Sequence, residues 1–190
     1  LFHTPGKLNS RIEGRPIHTS FLNRIPGAAK RYRYLLPLFP MAIERFDLRK
    51  FDLVISTSHC VAKGVIPSPT ALHISYCFTP MRYAWDGYRN YFSKSWLEPL
   101  IYPFLHYLRI WDVASSARVD HFVTLSNYVA GRILSYYRRA SHVVYPFVNL
   151  QQYRPSAGDK GDYYLVAGAF APYKRVDLAI EACETLGKKL

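Results

Sequence analysis

Short apolar runs rich in β-branched and aromatic residues alternate along the chain with segments of helical periodicity. The runs cover residues 51–56, 72–77, 121–125, 142–145 and 163–167. We interpret them as buried strands. Helical periodicity fills residues 97–117 and, behind a Ser126 cap, residues 127–137. This alternation predicts βαβ units, a parallel sheet covered on both faces and an α/β fold class.

A change of composition divides the chain after residue 150. Residues 151–162 are polar, contain Pro155, Gly158 and Gly161, and have no apolar period, which is typical of a linker. We therefore predict a first domain over 1–150, a linker over 151–162 and the start of a second domain over 163–190. In that second domain the strand at 163–167 leads through a turn into a helix from Lys174. The chain opens without methionine and stops on a helical pattern, so we expect an internal segment, cut at both ends.

The charge balance indicates an anionic partner. The 190 residues include 25 Lys and Arg against 13 Asp and Glu, a net charge of +12, and the first 43 residues supply seven basic positions against Glu13 alone. Such a field attracts nucleic acid, acidic lipid head groups or phosphorylated small molecules. The longest uncharged stretch, 64–81, contains Pro67, Pro69 and Pro80, which excludes a membrane-spanning helix there.

The cysteine pattern, and one segment in which tyrosines alternate with basic residues, indicate where in the cell the protein is located. Cys60, Cys77 and Cys183 are odd in number and form no Cys-x-x-Cys pair, which favours a reducing cytoplasm over a disulfide framework or a zinc site. Tyrosines alternate with basic residues over 30–35, a mixture suited to an anionic membrane surface or to single-stranded nucleic acid. A solvated helix face is the commoner explanation, so peripheral membrane contact is a secondary expectation.

Two loops that follow predicted strands carry the candidate chemistry on the first domain, because ligands of parallel sheets bind beyond the carboxyl ends of the strands. His59 follows the first strand, where it either hydrogen-bonds a sugar or phosphate or serves as a structural residue. Arg82 lies between Pro80 and Trp85 after the second strand. Its guanidinium either grips an anion or acceptor or stacks on neighbouring aromatic rings.

A third loop, residues 168–175, offers a phosphate site. It begins at Gly168 and leads into a predicted helix at Lys174 and Arg175. Free N–H groups at a helix start, with the charge of Lys174, favour phosphate and would stabilise a leaving diphosphate. The alternative is that both basic side chains are merely solvated. No Asp-x-Asp, Walker, His-Glu-x-x-His or Gly-x-Gly-x-x-Gly motif occurs, so metal-assisted chemistry is disfavoured and we predict no metal and no cofactor.

Four segments in register resemble one enzyme family. They are residues 76–85, residues 126–130, the pair Tyr145-Pro146, and residues 173–182. Their order and spacing are similar to those of the group 1, or GT4-type, glycosyltransferases over almost the whole chain, and most similar to mannosyltransferase-like bacterial enzymes of polysaccharide biosynthesis.

The resemblance implies a GT-B architecture, in which two Rossmann-like domains face each other across a cleft. It also implies metal-independent, retaining transfer of a mannose-like hexose from a nucleotide sugar to a glycan or lipid-linked oligosaccharide. Lys174, Gly168 and Arg175 would bind the donor diphosphate. The acceptor side of the cleft would consist of His59, Thr79, Arg82, Tyr83, Trp85 and Ser126.

Three positions depart from the family pattern, and one of them is Asn149, where these enzymes often carry aspartate. Phe78 stands where these enzymes usually carry histidine, and Ala169 stands where an arginine often follows the glycine of the donor loop. We therefore assign no catalytic residue and expect this segment alone to be inactive. The alternatives are a non-catalytic family member that binds glycan or acceptor and, less favoured, a basic nucleic-acid-binding protein. We expect no nucleic acid as partner.

Overall fold

A computed structural model describes residues 1–86, 98–154, 158, 161–170 and 174–190. Its contacts divide the chain into two units, Leu1–Pro146 and Phe147–Leu190. The predicted domains and linker stay predictions, and residues 155–157, 159 and 160 of that linker lie outside the described residues.

The first unit contains a parallel sheet of four strands, β1 (Leu53–Ser58), β2 (Leu72–Cys77), β3 (His121–Thr124) and β4 (Ser141–Val143). They lie side by side in chain order, and the pairing places Ser58 opposite Cys77 and Cys77 opposite Thr124. The α/β class with a parallel sheet is therefore confirmed, and it is compatible with a Rossmann-like fold. The bounds of β2 are as predicted, whereas β1 begins and ends two residues later than its apolar run indicated.

The same unit contains four α-helices in its described part. They are α1 (Ser10–Glu13), α2 (Phe39–Glu44), α3 (Glu98–Ser116) and α4 (Asn127–Tyr137), with 3₁₀ turns at Phe21–Arg24, Tyr32–Leu38 and Ala62–Gly64. Helix α4 has the predicted bounds because both of its ends are capped. Ser126 Oγ accepts from the Val129 N–H at 3.3 Å, and Arg138 adopts the left-handed conformation, with φ 55°, that ends many helices.

One face of the sheet forms part of the core. The buried strand residues on it are Ser56, His73, Ser75, Cys77, Phe122 and Thr124. Val129, Ile133 and Tyr137, spaced four residues apart on α4, pack with Cys77 and Phe122. A second cluster joins α2, the segment before it and the inner side of α3, including Leu22, Phe39, Ile43, Leu108 and Trp111.

The opposite face is exposed, and here the prediction of a sheet covered on both faces is wrong for the described residues. Leu53, Ile55 and Leu72 on this face are 52%, 62% and 42% exposed. The cause is topological. Right-handed crossovers that advance in one direction place their helices on one side, and a sheet gains helices on its other side only where the strand order reverses. The order β1-β2-β3-β4 has no reversal.

The second unit contains one helix in its described part, α5 (Val176–Thr185). The predicted strand at 163–167 is not formed, which is a correction to the expected first strand of a second Rossmann-like domain. A strand needs a neighbour to satisfy its N–H and C=O groups. Within the described residues, the backbone hydrogen bond of this segment runs from the Tyr164 N–H to the Lys189 carbonyl at 2.8 Å, which is not a strand pairing.

In the described ranges, no helix combines the length and the apolarity that crossing a bilayer requires.

Candidate functional site

The loops after β1 and β2 meet at the carboxyl edge of the sheet. Ser58, the last residue of β1, has its carbonyl oxygen 3.0 Å from the donating N–H of Phe78, the first residue after β2. Its hydroxyl accepts from the Cys60 N–H at 2.8 Å, which turns the chain immediately after the strand. The two loops singled out by the sequence are therefore joined at their bases.

His59, Arg82 and Tyr83 come together at this edge. The rings of His59 and Tyr83 lie with their centroids 6.3 Å apart. Burial and, second, the nearby positive charge of Arg82 lower the pKa of His59 below its ordinary value. At neutral pH the imidazole is therefore uncharged, with one nitrogen that accepts and one that donates. Arg82 is exposed, so the cluster presents a cation and a neutral imidazole to solvent.

Phe78 and Thr79 differ in exposure although they are adjacent. The Phe78 ring is 39% exposed and meets the Tyr76 ring edge-on, with centroids 5.4 Å apart. Thr79 is 7% exposed, and its Oγ1 is buried without a hydrogen-bond partner in the described part of the chain. Phe78 thus offers an apolar surface at the edge, whereas Thr79 lies below that surface.

Trp85 packs into the helices of the first unit. Its indole N–H donates to Asp112 Oδ2 at 2.8 Å, and its ring stacks on Tyr136 with centroids 4.5 Å apart. The residues on either side are also held, because Arg109 Nε donates to the Ala84 carbonyl at 2.8 Å and Asp86 accepts from the Tyr136 hydroxyl. Trp85 therefore anchors the loop that carries Arg82 and Tyr83.

Asp112 lies at the centre of a buried polar network. Lys63 Nζ is 2.9 Å from Asp112 Oδ1 and 2.7 Å from Ser115 Oγ, and the Tyr137 hydroxyl donates to Asp112 Oδ2 at 2.8 Å. The Lys63 and Asp112 side chains are 4% and 0% exposed. Sequence reasoning missed both residues. The available signal was a carboxylate directly after Trp111, inside the otherwise apolar stripe of a long helix.

Ser126 lies at the same carboxyl edge, after β3. Its hydroxyl caps α4, and the neighbouring Asn127 amide donates to the Tyr145 hydroxyl at 3.3 Å. The Tyr76 hydroxyl donates to the Val144 carbonyl at 2.9 Å, which joins the ends of β2 and β4. Within the described residues, Ser126 therefore caps a helix at this edge, whereas His59 lies beside Arg82 and Tyr83.

The residues predicted to bind the diphosphate of the nucleotide sugar belong to the second unit. Arg175 adopts a left-handed conformation, with φ 48°, just before α5. Its guanidinium pairs with Asp177 in the first turn at 2.8 Å, and this hydrogen bond lowers the pKa of Asp177. Lys174 and Gly168 are both exposed, and residues 171–173 of the predicted loop lie outside the described residues.

Metal-ligand geometry and comparisons with known proteins add no further assignment. Among the described residues, no three His, Cys, Asp or Glu side chains cluster as a metal site would require. Comparison of the chain with protein-family models, with curated proteins and with solved structures found no match.

Proposed function

We propose that this chain is part of a glycosyltransferase that transfers a mannose-like hexose from a nucleotide sugar to a glycan or lipid-linked acceptor. The proposal includes a GT-B architecture, retaining and metal-independent transfer, and a role in polysaccharide biosynthesis in the cytoplasm, where the three free cysteines stay reduced. The observation that carries it is the meeting of His59, Arg82 and Tyr83 at the carboxyl edge of a parallel sheet.

The chemistry of this cluster suits a sugar acceptor. A neutral imidazole both accepts from and donates to hydroxyl groups, and Arg82 supplies several fixed donors beside it. The Tyr83 ring adds a flat apolar surface for the less polar face of a sugar. In the proposed reaction these groups orient an acceptor hydroxyl, while Lys174 neutralises charge on the departing diphosphate.

Acceptor binding tests the proposal on the chain itself. Octyl α-mannoside and octyl β-glucoside, below their micellar concentrations, are titrated into the protein while amide chemical shifts are followed. We expect saturable shifts at 58–60 and 78–83, and affinity lowered about 10-fold by Arg82→Gln or by His59→Ala, since each removes charged or polar partners of the sugar. Arg11→Gln, an exposed arginine at α1, is the matched control. Saturable shifts elsewhere, or affinity unaffected by both site variants, would contradict the proposal.

A second candidate function, glycan binding without catalysis, is favoured by Phe78. Its ring has no group that could transfer a proton, and it meets the Tyr76 ring edge-on. Loss of a general acid or base commonly costs about 10²–10⁴ in rate. Transfer from UDP-hexoses and GDP-hexoses to octyl hexosides is therefore compared for the full-length protein that contains this segment and for its Phe78→His variant. A gain in the variant supports a damaged enzyme, whereas acceptor binding without transfer in either supports the binding role.

A further inference from the structure

A small cavity lies on the first unit, between the 3₁₀ turn Phe21–Arg24 and the end of α2. Its volume is ≈ 190 Å³, and its lining includes Thr19, Phe21, Arg24, Arg45 and Phe46. Sites for drug-sized ligands occupy roughly 300–1,000 Å³, so this one admits only a compact ligand or a single head group. These residues are distinct from His59, Arg82 and Tyr83, which meet at the carboxyl edge of the sheet.

Two guanidinium groups line the cavity without a carboxylate partner in the described part of the chain. Arg24 and Arg45 are both exposed, and neither forms an ion pair there. The acidic residues beside α2 are already engaged elsewhere. Glu44 pairs with Arg118 at 2.6 Å, and Asp47 pairs with Arg49 at 2.8 Å. The cavity therefore keeps two uncompensated positive charges.

The rest of the lining determines what kind of anion fits. Arg45 lies over the Phe21 ring, 5.7 Å from its centroid, which orients the planar guanidinium before any ligand arrives. Phe21, Phe46 and the buried Ala42 supply apolar walls. The Ser20 hydroxyl already donates to the Leu1 carbonyl at 2.9 Å, whereas the Thr19 hydroxyl has no hydrogen-bond partner in the described part of the chain.

From this combination we propose that the cavity is a binding site for a phosphomonoester group attached to a small apolar moiety. Guanidinium groups match the oxygen geometry of phosphate and form bidentate, charge-assisted hydrogen bonds with it. Arg24 and Arg45 hold the phosphate oxygens, Thr19 donates one further hydrogen bond, and the phenylalanine rings contact the apolar moiety.

Phenyl phosphate is the soluble probe, and binding is measured by calorimetry and by amide chemical shifts. We expect saturable binding with shifts at 19–24 and 42–46, and affinity about 10-fold lower in Arg24→Gln and in Arg45→Gln. Arg45→Lys keeps the charge but loses the planar fork, so its affinity falls between those of the original chain and Arg45→Gln. Arg15→Gln, exposed and outside the cavity, is the control and leaves the affinity unchanged.

Vesicles distinguish a lipid head group from a free phosphomonoester. Binding to phosphatidic acid in phosphatidylcholine vesicles, with the same dependence on Arg24 and Arg45, identifies the ligand as a lipid phosphate, whereas phenyl phosphate binding alone identifies a soluble one. Either result supports the site. It is overturned if neither probe binds, or if Arg15→Gln weakens binding as much as the cavity variants. Arg82→Gln leaves phenyl phosphate binding intact, so failure here is distinguishable from failure of the acceptor proposal.

Discussion

Helices α4 and α5 have similar lengths and amphipathic patterns but very different surroundings. Helix α4 buries Val129, Ile133 and Tyr137, with exposed fractions of 6%, 0% and 5%. Helix α5 buries no residue, and its Leu178 and Ile180 are 48% and 44% exposed. An amphipathic pattern therefore predicts that a helix forms, but it does not predict how much apolar surface that helix removes from water.

The difference has an energetic consequence. A helix of ten or eleven residues is marginal alone and depends on tertiary packing for most of its stability. Helix α4 receives that packing from the sheet and from the network around Asp112. Substitutions in the first unit should therefore change stability strongly, and matched substitutions in the second unit weakly. Trp85 and Trp111 belong to the first unit, and the sequence of the second unit contains no tryptophan, so tryptophan fluorescence follows the unfolding of the first unit.

Asp112→Ala should have the largest effect. It leaves the charge of Lys63 buried and removes the acceptor for Trp85 and Tyr137, so we expect the free energy of unfolding to fall by about 3–5 kcal/mol. Urea titration followed by tryptophan fluorescence measures it. Asp52→Ala, at an exposed position, is the control and should change stability by less than about 0.5 kcal/mol. A loss below about 1 kcal/mol for Asp112→Ala would show that the network contributes little.

Ile133→Ala and Leu178→Ala compare the two helices directly. Ile133 is fully buried, so its truncation should cost about 3 kcal/mol through lost transfer energy and the cavity left behind. Leu178 is largely exposed, and its truncation should cost less than about 0.5 kcal/mol. Urea titrations followed by far-UV circular dichroism report both variants. Equal losses would mean that α5 is packed as tightly as α4, and the comparison would fail.

Gly64→Ala tests the contact between the 3₁₀ turn Ala62–Gly64 and α3. A Cβ atom at Gly64 would overlap the ring of Trp111, so we expect a loss of about 2 kcal/mol from overpacking. Gly131 in α4 has open space at the same point, and Gly131→Ala should raise stability by about 0.5–1 kcal/mol. Thermal unfolding would show shifts of opposite sign, and a neutral Gly64→Ala would contradict the described packing.

Acidification should have the smallest effect on the stability of the first unit. Burial lowers the pKa of His73 in the folded chain, against a hydrogen bond to the Arg118 carbonyl and the charge of Asp120. Below about pH 6.5 the unfolded chain then binds more protons than the folded one, so stability falls as pH falls. Above that pH this group contributes no slope.

Urea titrations between pH 5 and pH 8 measure the effect of His73. His73→Gln should flatten the slope, and His59→Gln should flatten it less because His59 is more exposed. A slope unchanged in His73→Gln would exclude His73 as its source.

Local sequence patterns predicted the bounds of helices and strands better than they predicted the tertiary contacts of those elements. The apolar alternation of β2 and the Ser126 cap of α4 fix bounds within the sequence itself. The open sheet face follows from strand order, and strand order depends on contacts between distant residues. The segment at 163–167 has the composition of a strand, but composition does not supply the partner that a strand requires.

The sequence predicted which edge of the sheet carries the candidate site, but not the contacts that hold the loops of that site in place. Knowing that strand ends gather at one edge was enough to place His59 near Arg82 and Tyr83. The role of Trp85 was not predictable, because its partner Asp112 is 27 residues away on a helix. An aromatic residue in a loop is compatible both with lining a cleft and with anchoring the loop, and only tertiary contacts distinguish the two.

The exposed side of β1 has a practical consequence for purified samples. Among the described strands β1 pairs only with β2, so its outer edge has free N–H and C=O groups beside Leu53 and Ile55. The net charge of +12 keeps molecules apart at low ionic strength, and added salt screens that repulsion. Samples concentrated in dilute buffer should stay clear, and the same samples should become turbid in molar sodium chloride.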